Sequence, residues 1–309
     1  MKNIQADIKS GNFKQVYLLY GEEAYLKQQY KQNLVKALNP DGDTMNFNHY
    51  EGKGIDVKQL IDLCETMPFF AERRVVLLED TGFFKNKCEE LADYMKELPD
   101  YLYLVFAETE VDKRNRMYKA VKACGSIAEF IRQDEKTLMR WAAGILGKAG
   151  KKITQRDMEL LLTKTGTDMG NLRMEMEKLI SYTEGRDVVT AEDIEEICTT
   201  QTTNRIFDMV RAVTEKNQKR ALELYYDLLT LKEPPMRILF LLAKQYRQLL
   251  LAKQFAAAGL AQTEIASKLG VPGFVVRNIT TCARAYTISE LEQAVKDFVD
   301  AEESDRKST

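Results

Sequence analysis

The sequence predicts an α/β domain with a parallel, three-layer sheet, followed by two all-α domains, in a chain that is mostly helical overall. Three observations lead there. Gly and Pro are scarce, 16 and 6 in 309 residues, against an average of about 12% together. The six prolines stand at positions 40, 68, 99, 234, 235 and 272, so none breaks a helix between Pro99 and Pro234. Short β-rich apolar runs alternate with helical periodicity only in the N-terminal part of the chain, the pattern of parallel strands joined by crossover helices.

Val16–Tyr20 is the first such run; it ends at Gly21 and reads as a buried strand. Glu22 and Glu23 suit the positive end of the helix that follows, whose apolar face carries Leu26, Tyr30, Leu34 and Leu38. Val57, Leu60, Ile61 and Cys64 have the i, i+3, i+4, i+7 spacing of a second helix. Val75–Leu78 and Tyr101–Phe106 read as two more buried strands, with a helix at Lys87–Leu98 between them. Beyond Leu138 no strand is evident. Thr154-x-x-Asp157, Thr190-x-x-Asp193 and Ser289-x-x-Glu292 read as capped helix starts. Domains are therefore expected at 1–137, 138–201 and 202–309, with Cys198–Asn204 as the last linker.

Composition excludes several classes of function. Hydrophobic residues are 45% of the chain, enough for real cores. The five cysteines are scattered and form no CxxC pair, so neither a zinc module nor a disulfide scaffold is indicated. With a single histidine, His-based metal sites and triads have almost no material. The opening MKNIQADIKSG lacks the apolar core of a signal peptide. The densest apolar run, Ile238–Ala243, is far short of the roughly 20 residues of a membrane helix. A reduced, cytoplasmic protein with no membrane association is expected.

The strand-then-glycine entry at Tyr20–Gly21 is where a nucleotide-binding α/β protein carries GxxxxGK[ST]. Here it reads Gly21-Glu-Glu-Ala-Tyr-Leu-Lys-Gln28: the second glycine and the hydroxyl are missing, and Glu22 and Glu23 would repel a triphosphate. Glu79 and Asp80, at the end of an apolar strand, have the look of metal-holding acids. Without a phosphate loop they have no nucleotide-bound magnesium to ligate, and they read as a solvated strand end. His49 has no Ser or Cys motif beside it and reads as structural, and Trp141 and the methionines read as core. No catalytic residue, cofactor or metal is expected.

The segment Cys64-Glu-Thr-Met67-Pro68-Phe69-Phe70-Ala-Glu-Arg73-Arg74 is different. Pro68 stops the preceding helix where a flexible thioether and two adjacent aromatics appear. Adjacent phenylalanines do not easily share one buried face. Either both fold back into the core, or they form a wedge for a partner, with Met67 adapting to a pocket and Phe anchoring it. The C-terminal domain carries a charge bias: Arg205–Arg284 holds 13 Lys/Arg and 6 Asp/Glu, +7 in a chain of −2. Its long helix around Arg237–Leu251 has more apolar residues than one stripe needs, as for packing against other subunits. The basic excess is either a solvated face or a surface for nucleic-acid phosphates.

Tyr17-Leu-Leu-Tyr-Gly-Glu-Glu-Ala-Tyr-Leu26, Met67-Pro-Phe-Phe-Ala-Glu-Arg-Arg-Val-Val76, Val111-Asp-Lys-Arg114, Arg205-Ile-Phe-Asp208, Gln245-Tyr-Arg-Gln-Leu-Leu250, Ile265–Phe274 and Asp305-Arg-Lys307 run in order over the chain. Together they resemble the delta subunit of the bacterial DNA polymerase III clamp loader. The resemblance implies an AAA+-like domain that binds no ATP, a helical lid and a helical collar, and a subunit of a DNA-directed DNA polymerase holoenzyme without catalysis of its own. It further implies binding and opening of the β sliding clamp. Met67, Pro68, Phe69, Phe70 and Arg73 are the implied clamp-binding residues, and Arg237, Lys244 and Arg247 the implied collar residues. Implied partners are the clamp, ATP-hydrolysing subunits and delta-prime in a hetero-pentamer, and primer-template DNA. A delta-prime-type adaptor is the alternative, but its cysteine-rich zinc spacing and Ser-Arg-Cys motif are absent.

Overall fold

A computed structural model of the chain describes residues 2–199 and 202–308; it contains two compact units that divide between Gln133 and Asp134. The first unit contains, in order, α1 (Lys2–Ser10), β1 (Val16–Tyr20), α2 (Ala24–Leu38), β2 (Phe47–Glu51) and α3 (Val57–Cys64). It continues with β3 (Arg74–Glu79), α4 (Glu89–Tyr94), β4 (Leu102–Glu108), α5 (Arg116–Cys124) and β5 (Ser126–Glu129). The five strands form one parallel sheet in the order β2-β3-β4-β1-β5. β1 lies inside it, with Leu18 opposite both Phe106 and Ile127.

Alternation along the strands builds the three layers. Tyr17 and Leu19 face one way, onto Ile4 of α1 and Leu34 and Leu38 of α2. Val16, Leu18 and Tyr20 face the other way, onto Leu60 of α3, Leu91 of α4 and Met117 and Val121 of α5. Both faces are covered, so the inner strands are apolar along their middles, as in other parallel sheets. The expected parallel three-layer α/β domain, at the start of a mostly helical chain, is the one observed.

Several local expectations need adjustment. β2 and β5 are strands that the apolar runs did not announce. The helix expected at Lys87–Leu98 is only α4.

The second unit starts at α6 (Glu135–Lys148), capped by the Asp134 carboxylate on the Thr137 amide. It continues through β6 (Lys152–Ile153), α7 (Gln155–Thr165), α8 (Met169–Tyr182), β7 (Val188–Val189) and α9 (Ala191–Ile197). Then follow α10 (Thr202–Thr214), α11 (Gln218–Thr230), α12 (Pro235–Ala257), α13 (Gln262–Leu269), α14 (Gly273–Ala283) and α15 (Ile288–Ser308). β6 and β7 pair as a two-residue ribbon, so this part is not free of strand. Thr190 and Asp193 make the expected capping box. The box before α15 is Thr287 with Glu290, two residues earlier than the expected Ser289 and Glu292. α6–α9 close one core around Leu146, Leu162 and Met176, and α10–α15 close two others around Leu249 and Leu228. The linker expected at Cys198–Asn204 includes residues 200 and 201, outside the described residues, as are the side chains of Phe274 and Asp305–Lys307 quoted above.

Candidate protein-binding site

The segment between α3 and β3, residues 65–73, leaves the sheet at its amino edge and presents apolar side chains to solvent. Met67 is 74% exposed, Phe69 56% and Phe70 95%. The two rings meet edge to face, with centroids 4.5 Å apart. The reading in which both phenylalanines fold into the core is therefore overturned: neither is buried, because the backbone between them is turned outward and held there.

Three polar side chains hold it. Arg74, the first residue of β3 and only 5% exposed, donates from Nε to the Thr66 carbonyl at 2.8 Å and from Nη2 to the Met67 carbonyl at 3.2 Å. Its Nη1 reaches Asn48 Oδ1 on β2 at 3.2 Å. Asn46, 3% exposed and just ahead of β2, accepts from the Phe69 amide at 2.6 Å and donates to the Phe69 carbonyl at 2.8 Å. Asp43 Oδ2 accepts from the same Asn46 Nδ2 at 2.5 Å. That bond holds the Asp43 carboxyl below the usual range.

With its neighbours fixed, Phe70 sits at φ 49°, a left-handed conformation rare for an aromatic residue. Such a backbone costs on the order of 1–3 kcal/mol and persists only where its surroundings determine it. A side chain that is both strained and exposed adds nothing to the core, which points to a role outside this chain.

Of the other implied residues of this loop, Pro68 is half-buried and Arg73 turns back onto the protein. The Arg73 guanidinium lies 5.2 Å from the Phe13 ring centroid and 5.5 Å from that of Tyr103, stacking on the protein's own aromatics. Asn46, Arg74 and Asp43 were not singled out from the sequence as site residues.

The carboxyl edge of the same sheet, where α/β proteins bind nucleotides, is occupied by its own side chains. Gly21 is required there by a close approach: at φ 123° its missing Cβ would come within 2.3 Å of the Phe130 carbonyl oxygen. Lys27 stands at the position of the phosphate-loop lysine, but its Nζ donates to the Glu108 carbonyl at 2.9 Å. Burial lowers the pKa of its ammonium. Glu79 is bound by Lys31 at 2.5 Å and His49 Nε2 at 2.9 Å, so this strand end is paired rather than simply solvated. Asp80 accepts from the Thr109 amide and hydroxyl at 2.9 and 2.8 Å. The buried Glu108 carboxylate accepts from the Thr81 hydroxyl at 2.6 Å and the Thr81 amide at 3.1 Å, and burial pushes its pKa up. Among the described residues no cluster of three or more His, Cys, Asp or Glu is arranged to hold a metal ion.

In the second unit, Lys244 and Arg247 project from α12 into solvent, and Arg237 pairs with Glu233 one turn earlier at 3.2 Å. Phe240 on the same helix is 64% exposed, and Tyr226 and Leu231 nearby in sequence are 62% and 54% exposed. Among the described residues no helix is long and apolar enough to cross a membrane.

Comparison with known proteins agrees with this architecture. Residues 17–130 match the family described as DNA polymerase III, delta subunit, and residues 203–309 match its C-terminal domain. The chain is 26% identical over 307 residues to the DNA polymerase III subunit delta of Bacillus subtilis (strain 168), covering 95% of this chain and 88% of that one. It is 22% identical over 270 residues to a probable DNA polymerase III subunit delta of Aquifex aeolicus (strain VF5), covering 83% and 75%. The solved Bacillus subtilis DNA clamp loader delta protein has the same fold, at TM-score 0.66 and 23% identity, covering 99% of this chain and 94% of that one. Two matched segments that together take in more than two thirds of the sequence, in the same order and on the same fold, place this chain in the DNA polymerase III delta-subunit family.

Proposed function

We propose that this protein is the clamp-opening subunit of a DNA polymerase III clamp loader, and that it grips the β sliding clamp with Met67, Phe69 and Phe70. The observation that carries the reading is the exposed Phe70, on a strained backbone beside exposed Phe69, in a loop whose Thr66, Met67 and Phe69 backbone groups are held by buried side chains. Pro68 shapes the turn, and Arg73 supports it from behind by stacking on Phe13 and Tyr103. Each apolar anchor, fully buried by a partner, is worth roughly 1.5–3 kcal/mol, and anchors of this kind carry interfaces once association costs are subtracted.

A subunit opens a ring only by binding the open form better than the closed one. A rigid wedge suits that task because it does not adapt equally to both shapes. ATP is hydrolysed by neighbouring motor subunits in this scheme, since the phosphate-loop position here is filled by Glu22, Glu23 and a lysine engaged with the backbone. Residues 138–201 act as the lid and 202–309 as the collar. Arg237, Lys244 and Arg247 lie on the collar surface that meets delta-prime and the motor subunits of a hetero-pentamer and faces primer-template DNA. The test is co-elution of the purified chain with the cognate β clamp on gel filtration. A stable complex at micromolar concentration is expected, and its absence at tens of micromolar contradicts the proposal.

A further inference from the structure

The loop that carries Met67, Phe69 and Phe70 has no helix or strand of its own, yet its backbone is bonded by two buried side chains. A guanidinium that is 5% exposed spends two donors on the Thr66 and Met67 carbonyls. Burying such a charge is costly unless its donors are met, and these are met by the neutral oxygens of this loop and of Asn48. Asn46 closes both polar groups of Phe69 at once. Its amide has one permitted orientation, because Asp43 accepts from the nitrogen and leaves the oxygen for the Phe69 amide. An unbraced loop of this kind would lose conformational entropy on docking, and that loss would be subtracted from affinity.

We propose that Asn46, oriented by Asp43, and Arg74 are positioning residues that hold the wedge in its binding geometry before any partner arrives. The proposal rests on the reading of this loop as the clamp-binding wedge. It adds that affinity depends on residues that touch no partner, and that residues 66–70 have the same backbone in the free chain and in the complex.

The test uses the full-length chain, the recombinant cognate β clamp and two variants. Asn46→Asp is nearly isosteric but sets a carboxylate against Asp43 and the Phe69 carbonyl; Arg74→Lys keeps the charge and loses the fork. Each is expected to bind the clamp about tenfold more weakly, and Asn46→Ala, which removes the acceptor of the Phe69 amide, is expected to speed hydrogen exchange at that amide in the free protein. In a Phe69→Ala/Phe70→Ala background, Asn46→Asp is expected to cost no further affinity, a coupling that a general loss of stability would not produce. Unchanged affinity in both variants overturns the proposal, as does an additive loss in the alanine background. Persistent protection of the Phe69 amide in Asn46→Ala also overturns it. If Asn46→Asp does not fold, Arg74→Lys carries the same comparison. If Phe69→Ala/Phe70→Ala binds the clamp normally, the wedge reading fails instead, and amide exchange in the free chain still decides whether the brace exists.

Discussion

Strands β2 and β3 have two ends, and the protein uses them in opposite ways. At the carboxyl end of these strands and of neighbouring β4, carboxylates are taken up by their own neighbours: Glu79 by Lys31 and His49, Asp80 by Thr109, and Glu108 by Thr81. At the amino end, Asn46 and Arg74 are taken up by the loop backbone, and three apolar side chains are left outside. At both ends buried polar side chains find partners within the chain. They differ in what is left over, which is little beyond paired carboxylates at one end and exposed hydrocarbon at the other. The edge where α/β proteins bind nucleotides is taken up by side-chain pairs, whereas the segment between α3 and β3 leaves apolar surface open.

If that contrast is right, substitutions at the two ends separate cleanly. The largest effect belongs to Phe69→Ala/Phe70→Ala, expected to weaken clamp binding by about 3–4 kcal/mol, several hundredfold, in a titration with the fold intact by circular dichroism. Phe70→Ala alone is expected to cost about 2 kcal/mol, roughly thirtyfold. At the other end, Glu79→Gln leaves the buried Lys31 ammonium without its carboxylate and is expected to lower unfolding stability by about 1–3 kcal/mol, read by urea denaturation. Its clamp affinity is expected to stay within about twofold of wild type; a large loss would join the two ends and break the contrast. Met67→Ala, removing a flexible side chain, is expected to cost about 1 kcal/mol of clamp affinity.

The smallest effect is a pH dependence at Glu108. Because burial raises its pKa in the folded chain, the stability it contributes is full below the ordinary carboxylate range and is lost as pH rises through the folded value. Glu108→Gln lacks this titration, so its melting temperature relative to wild type is expected to improve between pH 4 and pH 8. A constant difference would contradict the assignment.

The parts of this design visible in the sequence were those that bury continuous apolar surface. β1, β3 and β4 are inner strands covered on both faces, so Val16–Tyr20, Val75–Leu78 and Tyr101–Phe106 stand out as apolar runs. β2 and β5 lie at the sheet's edges and read as polar, with Asn48, His49 and Glu51 in one and Ser126 and Glu129 in the other. The wedge was legible because proline followed by adjacent aromatics is awkward to bury. Its brace was not, because Asn46 stands 23 residues from Phe69 and bonds to backbone, which leaves no side-chain pattern to read. Arg74 carried no separate signal beside Arg73, although the buried one holds the loop and the other stacks on aromatic rings.

The most direct measurement is a titration of the cognate β clamp with the isolated chain, with and without ATP, beside Phe69→Ala/Phe70→Ala. The account predicts saturable binding that is the same with and without nucleotide and falls several hundredfold in the variant. Binding that requires ATP, or a variant that binds as tightly as the wild type, would contradict it.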